Sequence, residues 1–111
     1  MHDSTERSDI LVSTLADDED MIDLVEMFVD ELPERASGME KALAEKDFAT
    51  LKMLAHQLKG AAGGYGFPTI TDAARELELT SHAADDIEKM TAEVNELVDL
   101  CGRARANKPE A

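Results

Sequence analysis

The chain has 111 residues and a formal charge of −14 at pH 7, from 11 Lys and Arg against 25 Asp and Glu. That length fits one domain with a single core and is too short for a kinase or a two-domain enzyme. The negative field repels nucleic acid and anionic lipid surfaces, which argues against both as partners and leaves proteins as the class to consider.

Cys101 is the one cysteine, so no internal disulfide can form, and a reducing compartment is implied. No charged-then-apolar leader opens the chain, and no apolar run nears the roughly 18 residues that span a bilayer. The expectation is a soluble, cytoplasmic monomer.

Residues 1–9 read as a flexible polar tail containing His2, which has no partner type nearby. Ile10, Leu11, Val12 and Leu15 follow and are expected to cover one end of a bundle. The run Asp17-Asp18-Glu19-Asp20 lacks the glycine and alternating ligands of a calcium loop, and acidic residues favour helix starts, so it predicts a helix N-terminus.

Ile22, Val25, Val29, Leu32, Ala36, Met39 and Leu43 then recur at steps of three and four, in phase through Pro33. Proline removes one helix hydrogen bond and crowds the preceding turn, which predicts one arm either kinked or split near Pro33. Lys46-Asp47 is a brief break with Asp47 as N-cap, and so short a connection makes the first two helices antiparallel neighbours.

The second helix carries Phe48, Leu51, Ala55, Leu58 and Ala62 as its apolar stripe. Gly63, Gly64 and Gly66 wind it down, and Pro68 suits the first turn of a third helix with Phe67, Ile70, Ala73, Ala74 and Leu77 inward. That pattern fades at Thr80-Ser81-His82, so a turn is expected there. A fourth helix, capped by Asp85 or Asp86, follows with Ile87, Met90, Val94, Leu97, Cys101 and Ala104 as its seam. No strand alternation is visible. The prediction is an all-α, antiparallel up-down-up-down four-helix bundle over residues 10–105, with residues 106–111 as a frayed tail.

One residue stands out on this scaffold. At about 100° per residue, His56 lies some 120° from the centre of the second helix's stripe, so its imidazole is expected in solvent. Ala49, Lys52, Met53, Lys59, Gly60 and Gly63 share its face. A mid-helix glycine costs about 0.5–1 kcal/mol relative to alanine, so Gly60 and Gly63 beside an exposed histidine suggest close approach by another molecule.

Phosphoryl transfer requires an accessible imidazole lone pair, nearby positive charge and room for in-line approach. An imidazole in water titrates near about 6.5, so most copies offer that lone pair at neutral pH. Lys59, with Lys52 farther off, supplies the charge. The competing chemistries lack their residues: no carboxylate or second histidine stands three or four positions from His56, no nucleophile elbow is present, and residues 60–66 match no nucleotide-binding loop.

The stretch His56, Leu58, Lys59, Gly60, Ala61, Ala62 and Gly63 resembles the signature of the histidine-containing phosphotransfer (HPt) domains of two-component phosphorelays, with further similarity in Gly66-Phe67 and Ala73-Ala74-Arg75-Glu76-Leu77-Glu78. The resemblance extends over about residues 10–105. It implies a four-helix bundle whose His56 accepts a phosphoryl group on Nε2 from a receiver aspartate and passes it to another receiver. It also implies that Lys59 supports the phosphoryl charge and Gly60 keeps the approach open, with Ala49, Lys52, Met53 and Gly63 as the docking rim. On the same ground the chain is a carrier and not an enzyme, with no ATP site or metal of its own, magnesium coming from the receiver. Its partners would be receivers and a sensor or hybrid histidine kinase. Two other readings stay open: an adaptor bundle with His56 unused, and the substrate domain of a chemotaxis-type kinase. Met1 and the tapering tail favour a free-standing protein over an excised domain.

Overall fold

Residues 10–107 are described by the computed structural model. The expected tail 1–9, His2 included, and the last four residues lie outside that range. Four helices make up most of the described chain: α1 (Ile22–Ala44), α2 (Phe48–Gly64), α3 (Pro68–Ala83) and α4 (Ile87–Arg103).

Helix α1 is a single uninterrupted helix through Pro33, so the split arm considered above does not occur. Pro33 sits on the solvent face, and its missing N–H leaves only the Val29 carbonyl without its helix donor. The buried stripe is Val25, Phe28, Leu32, Ala36, Met39 and Ala42, while Ile22, Val29 and Leu43 are only half-buried. The axis of the apolar face is therefore rotated from the predicted one, because α1 packs against both α2 and α4 and buries its flanks unequally.

The acidic run does not cap α1. Asp18 accepts from the Asp20 amide at 3.0 Å and its carbonyl accepts from Met21 and Ile22, so the carboxylate closes its own turn. Met21 occupies the cap position with no side-chain hydrogen bond. Asp47, in contrast, caps α2 as expected, accepting from the Thr50 amide at 3.1 Å and its hydroxyl at 2.8 Å.

Within α2, Leu51, Ala55, Leu58 and Ala62 are fully buried. Alternating leucine with alanine lets neighbouring helices approach closely, and the α2–α3 pair is the most extensive contact in the fold. Its contacts run in opposite senses along the two helices: Lys59 meets Thr71, His56 meets Glu78 and Lys52 meets His82.

The third helix outlasts its apolar pattern. Thr80 and Ser81 are helical and buried, and the Thr80 hydroxyl satisfies itself on the Glu76 carbonyl at 3.0 Å. A back-bonded threonine can thus occupy a core position without an orphan donor. His82 lies in the last turn of α3, before a left-handed Ala84, and not in a loop. Asp86 caps α4 through the Lys89 amide at 3.0 Å. The predicted seam is buried except Ile87, which is exposed, with Leu100 added.

A short strand pair was not legible in the sequence. Leu11–Val12 (β1) and Ala104–Arg105 (β2) form a two-residue parallel ladder, too brief for alternation to register. Ala104 and Ala106 are both buried in the core, so packing runs past the expected boundary at residue 105.

Cys101 is buried, and loss of hydration pushes its thiol up to about 11 despite the opposing influence of Arg35. The thiolate is the reactive form. The expected result is therefore negligible labelling by a thiol reagent at pH 8 in the folded chain and rapid labelling once the chain is unfolded in denaturant. Fast labelling under native conditions would show that α4 opens locally.

Candidate phosphoacceptor site

His56 projects from α2 with its side chain 65% exposed. The ring rides above Leu51, Ala55 and Leu58 on the opposite side of the helix, so core packing fixes its position without covering it.

From α3, one carboxylate reaches across to the ring. Glu78 Oε2 lies 2.9 Å from His56 Nδ1, and Glu78 Oε1 lies 2.7 Å from Lys59 Nζ. A carboxylate only accepts, so Nδ1 must carry the hydrogen and, in the neutral ring, the lone pair falls to Nε2. The Lys59 hydrogen bond holds Glu78 below the usual carboxylate range, against some desolvation and with a further contribution from His56. The acceptor is thus anionic at neutral pH.

Lys59 is therefore paired in this state and is not a free cation beside the ring. Lys52 is paired too: its ammonium donates to His82 Nδ1 at 2.8 Å. An ammonium only donates, so His82 Nδ1 is the acceptor in that contact. Ala49, Met53 and Gly63 are exposed on the same face of α2 as His56, and Lys52 is half-buried at its α3 edge.

Gly60 has open space above it: a Cβ built there would meet nothing within 4 Å, and the same holds for Gly64. A Cβ on Gly63 would make only an ordinary 3.5 Å contact with the Thr71 hydroxyl. Packing inside the bundle therefore requires glycine at none of these three positions, which removes tight helix packing as their reason. Gly66 differs, with φ +86° and a Cβ position crowded by Ser13 and Thr14.

On the α1 side of His56, Gly60, Ala61, Gly64 and Tyr65 form the floor of an open cleft of about 570 Å³. Met21, Leu24, Met27 and Phe28 line its other wall, with Glu31 and Arg35 above. Leu24 and Met27 are 45% and 60% exposed, and Met53 on α2 is 50% exposed.

Across residues 23–107 the sequence matches the family model of the Hpt domain. The chain belongs to the Hpt-domain family. Neither the curated proteins nor the solved structures gave a match to it. Hpt domains are histidine phosphocarriers of two-component phosphorelays and have no kinase site of their own. In this Hpt domain no described helix is long and apolar enough to cross a membrane, and the described residues hold no cluster of three or more metal-ligating side chains.

Two features of the candidate site were not legible in the sequence. Glu78 lies 22 residues from His56, and nothing in the linear pattern ties the phase of α3 to that of α2. The cleft left a fainter trace, since Leu24 and Met27 are apolar residues standing off the predicted core stripe of α1.

Proposed function

We propose that this Hpt domain is a phosphorelay intermediate whose His56 takes a phosphoryl group from the aspartyl phosphate of one receiver domain and delivers it to the aspartate of another. The observation that carries this reading is the Glu78 carboxylate on His56 Nδ1, which leaves the lone pair on Nε2 of an exposed ring.

The Nε2 lone pair attacks phosphorus, the P–N bond forms, and the P–O bond to the receiver aspartate breaks with the electron pair leaving on that carboxylate. Nδ1 keeps its hydrogen, so the ring gains positive charge as the bond forms, and the anionic Glu78 beside it offsets that charge. Lys59 shares Glu78 and lies one turn from His56, close enough to transfer part of its ammonium's attention to the phosphoryl oxygens. The second transfer reverses these events. Magnesium and the acidic pocket come from the receiver, and this chain supplies nucleophile, orientation and surface.

The cleft beside Gly60 gives the receiver its footing. Its apolar walls tolerate burial, and the charges at its edges are matched within the chain, Arg35 with Glu31 and Lys59 with Glu78. The decisive experiment incubates the purified chain with magnesium and a panel of phosphorylated receivers. Acid-labile, base-stable phosphate on His56 supports a carrier; a chain that binds receivers but never gains phosphate is an adaptor. Label arriving only from ATP and a separate kinase marks a kinase substrate domain.

The glycine at position 60 provides a further check. Gly60→Gln adds a side chain into open space and replaces a poor helix former, so the melting temperature should hold or rise. Receiver-driven transfer should slow by about ten- to a hundredfold, since the longer side chain stands between the ring and an incoming donor. Unchanged transfer would remove clearance as the reason for Gly60.

A further inference from the structure

We infer that residues 11–15 form a strap that positions the floor of the receiver-docking cleft, with Ser13 as its fastening residue; this inference rests on the carrier reading above. The strap precedes the stretch that the family model matches, residues 23–107. It is nevertheless built into the fold along both of its edges.

On one side, β1 pairs with β2, and the Ser13 amide donates to the Arg105 carbonyl at 3.1 Å. On the other, the Thr14 amide donates to the Gly66 carbonyl at 2.9 Å, and the Ser13 hydroxyl donates to the Tyr65 carbonyl at 2.7 Å. The same hydroxyl accepts from the Leu15 amide at 2.9 Å, so it ties the strap's own turn to the end of α2. Ser13 is buried, and Leu11 and Leu15 pack against the core.

Gly66 is shaped for this contact. Its φ of +86° is open to glycine, and a Cβ there would fall 2.5 Å from the Ser13 hydroxyl oxygen and 2.9 Å from the Thr14 amide nitrogen. The residue held from both directions is Tyr65. Its ring stacks on Phe28 with centroids 5.0 Å apart, and both rings line the cleft beside Gly60. The strap thus clamps the backbone of a residue whose side chain a docked partner would press against, while touching neither His56 nor Glu78.

A positioning role of this kind separates docking from chemistry. Ser13→Ala removes the hydroxyl that holds the Tyr65 carbonyl, and the KM for a phosphorylated receiver known to label native His56 should rise about three- to tenfold. Its kcat should stay within about twofold of native. Labelling of His56 by phosphoramidate, a small donor that needs no docking surface, should be unchanged. Gly66→Ala displaces the strap from the opposite side and should raise KM in the same way; if it does not fold, Ser13→Ala decides alone. An unchanged KM in folded Ser13→Ala, or an equal fall in labelling from both donors, would overturn the positioning role. A native chain labelled by phosphoramidate but by no receiver would instead overturn receiver docking itself, and the strap's role with it.

Discussion

Replacing His56 with glutamine should reduce acid-labile, base-stable phosphate on the chain to background, whichever donor is used. Glutamine keeps a polar side chain of similar reach but offers no lone pair able to form a P–N bond. The fold should persist, since the imidazole is exposed and contributes nothing to the core formed by Leu51, Ala55, Leu58 and Ala62. Surface substitutions of that kind change stability by about 0.5 kcal/mol or less. The measurement is label retention after base and loss after acid, with a thermal melt to establish that both proteins are folded. Persistent label in the variant would move the acceptor elsewhere, and His82, the other described histidine, would be the residue to examine.

Glu78→Gln should produce the second-largest effect, slowing receiver-driven transfer by about tenfold or more. Native Glu78 is anionic, accepts from His56 Nδ1 and Lys59 Nζ at once, and is held in that form chiefly by the lysine. A neutral amide can accept from one of them, but it neither balances charge growing on the ring nor forbids the other imidazole tautomer. Nitrogen NMR on labelled histidine checks the cause directly. The native ring should be the Nδ1–H tautomer when neutral, and the variant should show a mixture. A variant of native rate with an unmixed tautomer would remove Glu78 from the mechanism.

The same carboxylate sets the direction of a pH effect. Its folded value lies below its unfolded one, so the stabilisation from this bridge is fully present above the ordinary carboxylate range. It is lost as pH falls through the lowered folded value, where Glu78 takes up a proton and releases Lys59 and His56. Acid titration of native and Glu78→Gln chains should therefore show a stability difference at neutral pH that closes in acid. A difference that widened on acidification would contradict the assignment.

Much of the candidate site was legible in the sequence. The step pattern of Leu51, Ala55, Leu58 and Ala62 sufficed to put His56 outside and to put Lys59 and Gly60 beside it, because a helix wheel is local geometry. Asp47 as a cap and Pro68 as a first-turn residue were readable for the same reason. The errors fell where two interactions compete over short range. Asp18 chose its own turn over the helix end, and Thr80 used a backbone carbonyl to enter the core, which a polar-equals-surface reading does not anticipate.

By itself the sequence determined the number of helices, the phase of α2 and the exposure of His56, since periodicity within one segment decides which side of a helix is wet. Only the tertiary structure decided that Glu78 meets His56 and Lys59, that Leu24 and Met27 face Gly60 and Gly64 across a cleft, and that Ser13 fastens Tyr65. Those facts depend on the rotation and offset of one helix against another. Such offsets are fixed by the summed packing of many side chains, and no spacing along the chain encodes them singly.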